Sequence, residues 1–169
     1  MIYKLTIPAF TQALRILDRI LDKAAQFAEI KNIDAEVLLQ SRLAPDQFPL
    51  ARQIQIACDT AKLGVARLCD KTPPSHPDTE KTLADFKARI KDTIAYLGTY
   101  SEQDFTGAEK RMISNKYWPE GMKLQGDDYV TCHALPNIYF HVTTAYSILR
   151  HNGVDVGKLD YLGTLPFKG

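Results

Sequence analysis

The sequence predicts an all-α protein, an up-down four-helix bundle with one long crossover. Two observations carry this. Four long segments place apolar residues at i, i+3 and i+4, the period of a helix with one buried face. Between the third and fourth lies a long irregular stretch, Ser101 to about Gly126, too long for a tight turn. At 169 residues the chain suits one well-buried core, so a single domain over 1–169 is expected.

The first helix is predicted from about Ile7 to Ala28. Ile7, Phe10, Leu14, Leu17, Leu21 and Ala24 share a face. Thr6 is a plausible N-cap, and Pro8 is tolerated in a first turn, where its missing N–H would be orphaned anyway. One or two turns after Asp34 follow. The second helix spans about Pro49 to Cys69, with Leu50, Ile54, Ala57, Cys58, Ala61, Val65 and Leu68 on its main face. An opposite stripe, Arg52, Ile56, Asp59 and Leu63, implies that its back is covered as well.

The prolines of "KTPPSHPD" forbid helix. The third helix, about Thr82 to Tyr100, buries Leu83, Phe86, Ile90, Ile94 and Leu97. In the crossover, "KRMIS" against "MKLQ" suggests a short hairpin. The fourth helix begins near Asp127 or Asp128 and stops at Asn152-Gly153, with Arg150 and His151 in its last turn. Pro136 cannot donate to the carbonyl of Cys132, so the helix must kink or restart there. The tail, with Leu159, Tyr161, Leu162, Leu165 and Phe167, is too apolar to dangle.

A net charge of +1 gives no basic field for nucleic acid, and no apolar run is long enough to span a bilayer. The N-terminus lacks the pattern of a secretory signal. Cys58, Cys69 and Cys132 have no zinc-site spacing and read as reduced thiols, so a cytoplasmic location is expected. No GxSxG, P-loop or GxGxxG occurs.

His141 and Asn137 lie on the apolar stripe of the fourth helix, together with Ile138, Val142, Ala145 and Ile148. A buried imidazole and amide need hydrogen bonds, so His141 is either a satisfied core residue or a site residue. In the second case it lines a small-molecule pocket with Asn137, Gln55 and Asp59, under a lid formed by Tyr117 and Trp118. Periodicity puts Asp59 on the back of the second helix, with Arg52 and Lys62 as its partners. The outer stripe Tyr139, Thr143, Tyr146 and Arg150 meets either a second subunit or the folded-back tail. Together with the two-sided second helix, it leads to the expectation of a homodimer.

The blocks "FPLARQIQIACDTAKLGVARL", "ALPNIYFHVTTAYSILRHNGV" and "KLDYLG" resemble an uncharacterised bacterial and fungal family, a domain of unknown function within the DinB/YfiT-like superfamily of metalloenzymes. The resemblance runs over nearly the whole chain. It implies a frequently dimeric bundle. It also implies a metal held by three histidines, one on the second helix and two on the fourth as HxxxH, with metal-dependent thiol transfer known for some members. Here His141 matches the first of the HxxxH pair, but Ala145 stands at the second. The second helix has no histidine; Gln55 or Asp59 falls near that position. The expectation is therefore a chain without the three-histidine metal site and with no cofactor. The alternatives are a metal-dependent transferase or hydrolase that recruits Asp59, His133 or a second subunit, and a purely structural dimer.

Overall fold

The structure is a computed structural model and describes residues 1–165 and 167. It is mostly helical: α1 (Ile2–Lys31), α2 (Leu50–Leu68), α3 (Leu83–Leu97), the short α4 (Gly126–Asp128), α5 (Leu135–His151) and α6 (Lys158–Leu162). A two-residue hairpin, β1 (Met112–Ile113) with β2 (Leu124–Gln125), lies in the crossover. It is antiparallel, pairing Met112 with Gln125 and Ile113 with Leu124. No described helix is long and apolar enough to cross a membrane.

α1 begins at Ile2, not at Ile7. Ile2 is itself buried and gains more inside the helix than outside it. Thr6 therefore caps nothing; its hydroxyl donates to the Ile2 carbonyl at 2.9 Å, one turn back. α1 runs past Ala28 to Lys31 and ends on Asn32, which is left-handed at φ 54°. Ile33 N–H then returns to the Ala28 carbonyl at 3.0 Å, a Schellman closure. Asp34 caps the 3-10 turn Ala35–Gln40 by accepting from Glu36 N–H.

α3 starts with a reciprocal capping box between Thr82 and Asp85. It ends at Leu97; Tyr100, expected inside it, lies beyond. The last helical run is continuous but changes pitch. α4 leads into a π-helical stretch, Tyr129–Ala134, in which Leu135 N–H bonds the Val130 carbonyl five residues back. The widened turn sits directly before Pro136, at the start of α5. A π-bulge thus absorbs the proline that was expected to kink or restart the helix.

α2 packs on α5 and α3, and α1 packs on the same two helices. Phe10, Leu14, Leu17, Ile54, Val65, Phe86, Ile90, Ile138, Val142 and Ile148 meet in a single core cluster. The two-sided α2 is explained within one chain: α5 covers its main face, while α3 and the proline loop cover its back.

The tail finds some partners within the chain, although Leu159 and Phe167, expected to pack, stay exposed. Val154 and Val156 are buried. Gln12 donates to the Leu162 carbonyl at 3.0 Å. Lys23 reaches the Asp155 carbonyl and the Asp160 carboxylate, both at 2.9 Å. The Thr143 and Tyr161 hydroxyls bond at 2.9 Å, and the Tyr146 ring meets Tyr161 edge to face. Of the two features that suggested a homodimer, the two-sided α2 is covered within the chain and Thr143 and Tyr146 of the stripe meet the tail, while Tyr139 stays 42 % exposed.

Two glycines have opposite requirements. A Cβ at Gly126 would collide with the Ala108 carbonyl, which belongs to a rigid 3-10 turn. Gly126→Ala should lower stability by about 1–3 kcal/mol. A Cβ at Gly64 would meet the Phe10 ring at an ordinary 3.4 Å. Gly64→Ala should be neutral or stabilise by up to about 1 kcal/mol, since alanine favours the helix. Urea midpoints of the two variants test both signs.

Candidate functional site

His141 is 7 % exposed and faces α2. Its Nδ1 lies 2.7 Å from Gln53 Oε1. The Gln53 amide is oriented by its other end, because Nε2 donates to the Phe48 carbonyl at 2.9 Å. Oε1 must then accept, so the His141 Nδ1 carries the proton. Burial, together with the nearby positive charge of Arg52, lowers the His141 pKa to about 4. The ring is therefore neutral at pH 7, with Nε2 as an unprotonated acceptor.

One turn earlier, Asn137 Nδ2 donates to Thr60 Oγ1 at 2.7 Å. Contact positions on α2 advance from Gln53 to Thr60 while those on α5 retreat from His141 to Asn137, so the two helices run antiparallel. The seam between them carries two polar pairs in an apolar stripe. Gln53 and Thr60 were not singled out in the sequence. Gln53 left a legible signal, being a polar residue one turn before Ala57 on the main apolar face of α2.

The remaining candidates lie elsewhere. Gln55 donates from Nε2 to Glu80 at 3.0 Å and accepts from Arg52 at 3.1 Å. Asp59 is held by Arg89 at 2.9 Å and by Lys62 at 3.3 Å. Arg52, the other partner expected for Asp59, instead binds Asp78 at 2.6 Å. Arg89 is 4 % exposed and also binds Asp78 and Glu80. Burial alone would raise the Glu80 pKa, but hydrogen bonds from Arg89 and Gln55 outweigh it and hold it low. This network pins the proline loop to α2 and α3.

Trp118 is no lid over His141. Its ring meets Tyr129 and His133 edge to face, while Tyr129 and His133 stack at 5.3 Å. Tyr129 also accepts a hydrogen bond from Arg67 at 3.2 Å. His133 precedes His141 by eight residues, roughly 12 Å along a helix. Tyr117 is exposed. The pocket expected from His141, Asn137, Gln55, Asp59 and Trp118 is therefore not assembled: the five fall into three separate clusters.

Two clefts stand out among the described residues, and none of those five residues lines either. One, about 330 Å³, lies between the proline loop and α3, beside His76, Glu80, Asp85 and Arg89. The other, about 760 Å³, runs between α1, the start of α5 and the tail. The three-histidine metal set implied by the resemblance does not fit these residues. His141 spends one nitrogen on Gln53, Asn137 is paired with Thr60, and Ala145 has no donor. Among the described residues no group of three or more His, Cys, Asp or Glu side chains is placed to hold a metal ion.

The profile of a family described as a domain of unknown function, DUF1993, matches residues 2–162. Among solved structures, the crystal structure of a DinB family member protein from Shewanella denitrificans, at 1.83 Å resolution, is similar at 54 % sequence identity, with a TM-score of 0.96. The similarity covers 100 % of this chain and 96 % of that one. Curated proteins give no match.

Two stability tests follow from this geometry. The folded-state pKa of His141 lies below the unfolded value near 6.5. Its contribution is therefore full above pH 6.5 and is lost as the pH falls towards 4, where the unfolded chain binds the proton and the folded one does not. The loss is about 3 kcal/mol at most. In His141→Asn, which keeps a donor towards Gln53, urea midpoints at pH 7.5 and 5 should differ less than in the wild type. Arg89→Met should cost about 3–5 kcal/mol, because it removes the buried guanidinium and leaves Glu80 with Gln55 alone and Asp59 with Lys62 alone. The urea midpoint at pH 7 measures it.

Proposed function

The chain belongs to the DUF1993 family of DinB-like proteins, and on that premise we propose that it is a metal-independent binding protein: one domain, a four-helix bundle of α1, α2, α3 and α5 in which α5 runs antiparallel to α2 and, across the long proline loop, α3 runs parallel to it. The observation that carries metal independence is the α2–α5 seam. Where the resemblance calls for a coordinating set, the polar side chains satisfy one another, His141 with Gln53 and Asn137 with Thr60. On this reading His141 is a register-setting residue. Binding is supported by the cleft along α1 and α5, whose volume of about 760 Å³ lies within the range of ligand sites. The bundle is supported by the antiparallel register of α2 and α5 and by the contacts of both α1 and α2 with α3 and α5. The free, buried thiols of Cys58 and Cys69 fit a reducing compartment, the basis for proposing the cytoplasm. Burial pushes their pKa values up to about 12 and about 11.

Elemental analysis of the purified, tag-free protein, with His141→Ala beside it, tests metal independence. The expected result is zinc and nickel far below one equivalent per chain in both. Near-stoichiometric metal in the wild type, lost in the variant, would restore the metalloenzyme reading. A gain-of-site variant tests the positional argument. Gln53→His with Ala145→His adds an imidazole on α2 and completes HxxxH on α5. It should bind close to one zinc per chain, with a raised melting temperature in the presence of zinc.

A further inference from the structure

The cleft along α1 has a chemical pattern of its own. Its walls are apolar, formed by Leu5, Ile7, Leu135, Tyr139, Leu162 and Leu165. Leu5 and Tyr139 are each 42 % exposed, high for such large apolar side chains. Lys4 and Arg15 also line it, and both are exposed. Among the described residues neither makes a salt bridge or side-chain hydrogen bond, although Lys23 and Lys87 on neighbouring surfaces are paired with carboxylates. Eleven residues apart, Lys4 and Arg15 share one face of α1, about 16 Å from each other along the axis. The groove is thus an elongated apolar trough with a free cation towards each end.

The tail makes it a trough and not a flat patch. Gln12 holds the Leu162 carbonyl, and Gly163, at φ 69°, turns the chain where a side chain would collide with Gln12 and Arg19. The turn brings Thr164 and Leu165 along the side of α1.

We propose that this trough binds a single acyl chain bearing an anionic head, a fatty-acid-like amphiphile taken up as a monomer. The inference rests on the binding-protein reading and names its ligand class. The apolar walls take up the chain, and Lys4 or Arg15 holds the head. The distance between the two cations means that a carboxylate engages one of them, and single variants identify which.

The test is titration calorimetry of the full chain with octanoate, decanoate and dodecanoate below their micelle concentrations, with 1-dodecanol as an uncharged control. Affinity should rise about two- to fourfold per added methylene. It should also fall with salt. Lys4→Ala or Arg15→Ala should weaken dodecanoate about two- to fivefold at whichever cation holds the head. Leu5→Asp, a surface change that leaves the core intact, should abolish binding without lowering the melting temperature of the free protein. Dodecanol binding as tightly as dodecanoate, with no effect of either cation, would overturn the anionic head and leave the binding-protein reading standing. Binding of neither would overturn both. Co-sedimentation with anionic lipid vesicles in place of monomer binding would overturn the proposal in favour of a membrane surface. A dimer in sedimentation velocity that Leu5→Asp disperses would overturn it in favour of a second copy of the chain.

Discussion

The constraint on which the structure depends is that α2 is covered on nearly every side. Gln53, Gln55, Thr60 and Lys62 are all buried on it, beside Ile54, Ala57, Cys58 and Val65. A helix so enclosed cannot leave its polar groups to water, so each must find a partner within the protein. Gln53 and Thr60 take theirs from α5, at His141 and Asn137. Gln55 takes Glu80 from the end of the proline loop. Asp59 takes Arg89 from α3 and Lys62 from α2 itself. These bonds set the register of α5 on one side of α2 and the position of the loop and α3 on the other.

Most of the helices were legible because periodicity is a local property. Phe10, Leu14, Leu17 and Leu21 mark α1 whatever packs against them. Its start was not legible, because Thr6 and Pro8 form a convincing local boundary that the burial of Ile2 overrides. The π-helical turn before Pro136 was hidden for a related reason. A proline announces a missing donor, but whether the chain kinks or widens by a residue is settled by what packs nearby. Here Tyr129 and Val130, both inside that turn, are buried in the core.

The candidate site was legible in its lone residues and not in its pairs. Polar residues on an apolar face single out His141 and Asn137 from α5 alone. Their partners lie 88 and 77 residues away, and a single sequence carries no signal at that separation. Asp59 shows the same limit. Its helical position correctly gave Lys62, three residues on, but Arg52 was claimed by Asp78, and Arg89 came from another helix. Trp118 suggested a lid because aromatic residues in long crossovers often close over sites. Its real environment, Tyr129 and His133, depends on the pitch of the π-helical turn.

An imidazole on the inner face of α5 poses one problem with two solutions. Its ring nitrogens need partners, and burial keeps the ring neutral, which is also the state that binds metals. With a second histidine one turn on and a third on the facing helix, the natural partner is a cation. With Ala145 one turn on and Gln53 opposite, the partner is an amide oxygen fixed in place by the Phe48 carbonyl. The Gln53 bond acts on Nδ1 and commits the tautomer, and among the described residues no metal-binding group forms around Nε2. The His141–Gln53 and Asn137–Thr60 bonds make the α2–α5 seam a helix-to-helix clasp. Chemistry displaced from the seam would have to lie elsewhere on the fold, and the trough beside α1 combines the apolar walls and free cations that a binding surface requires.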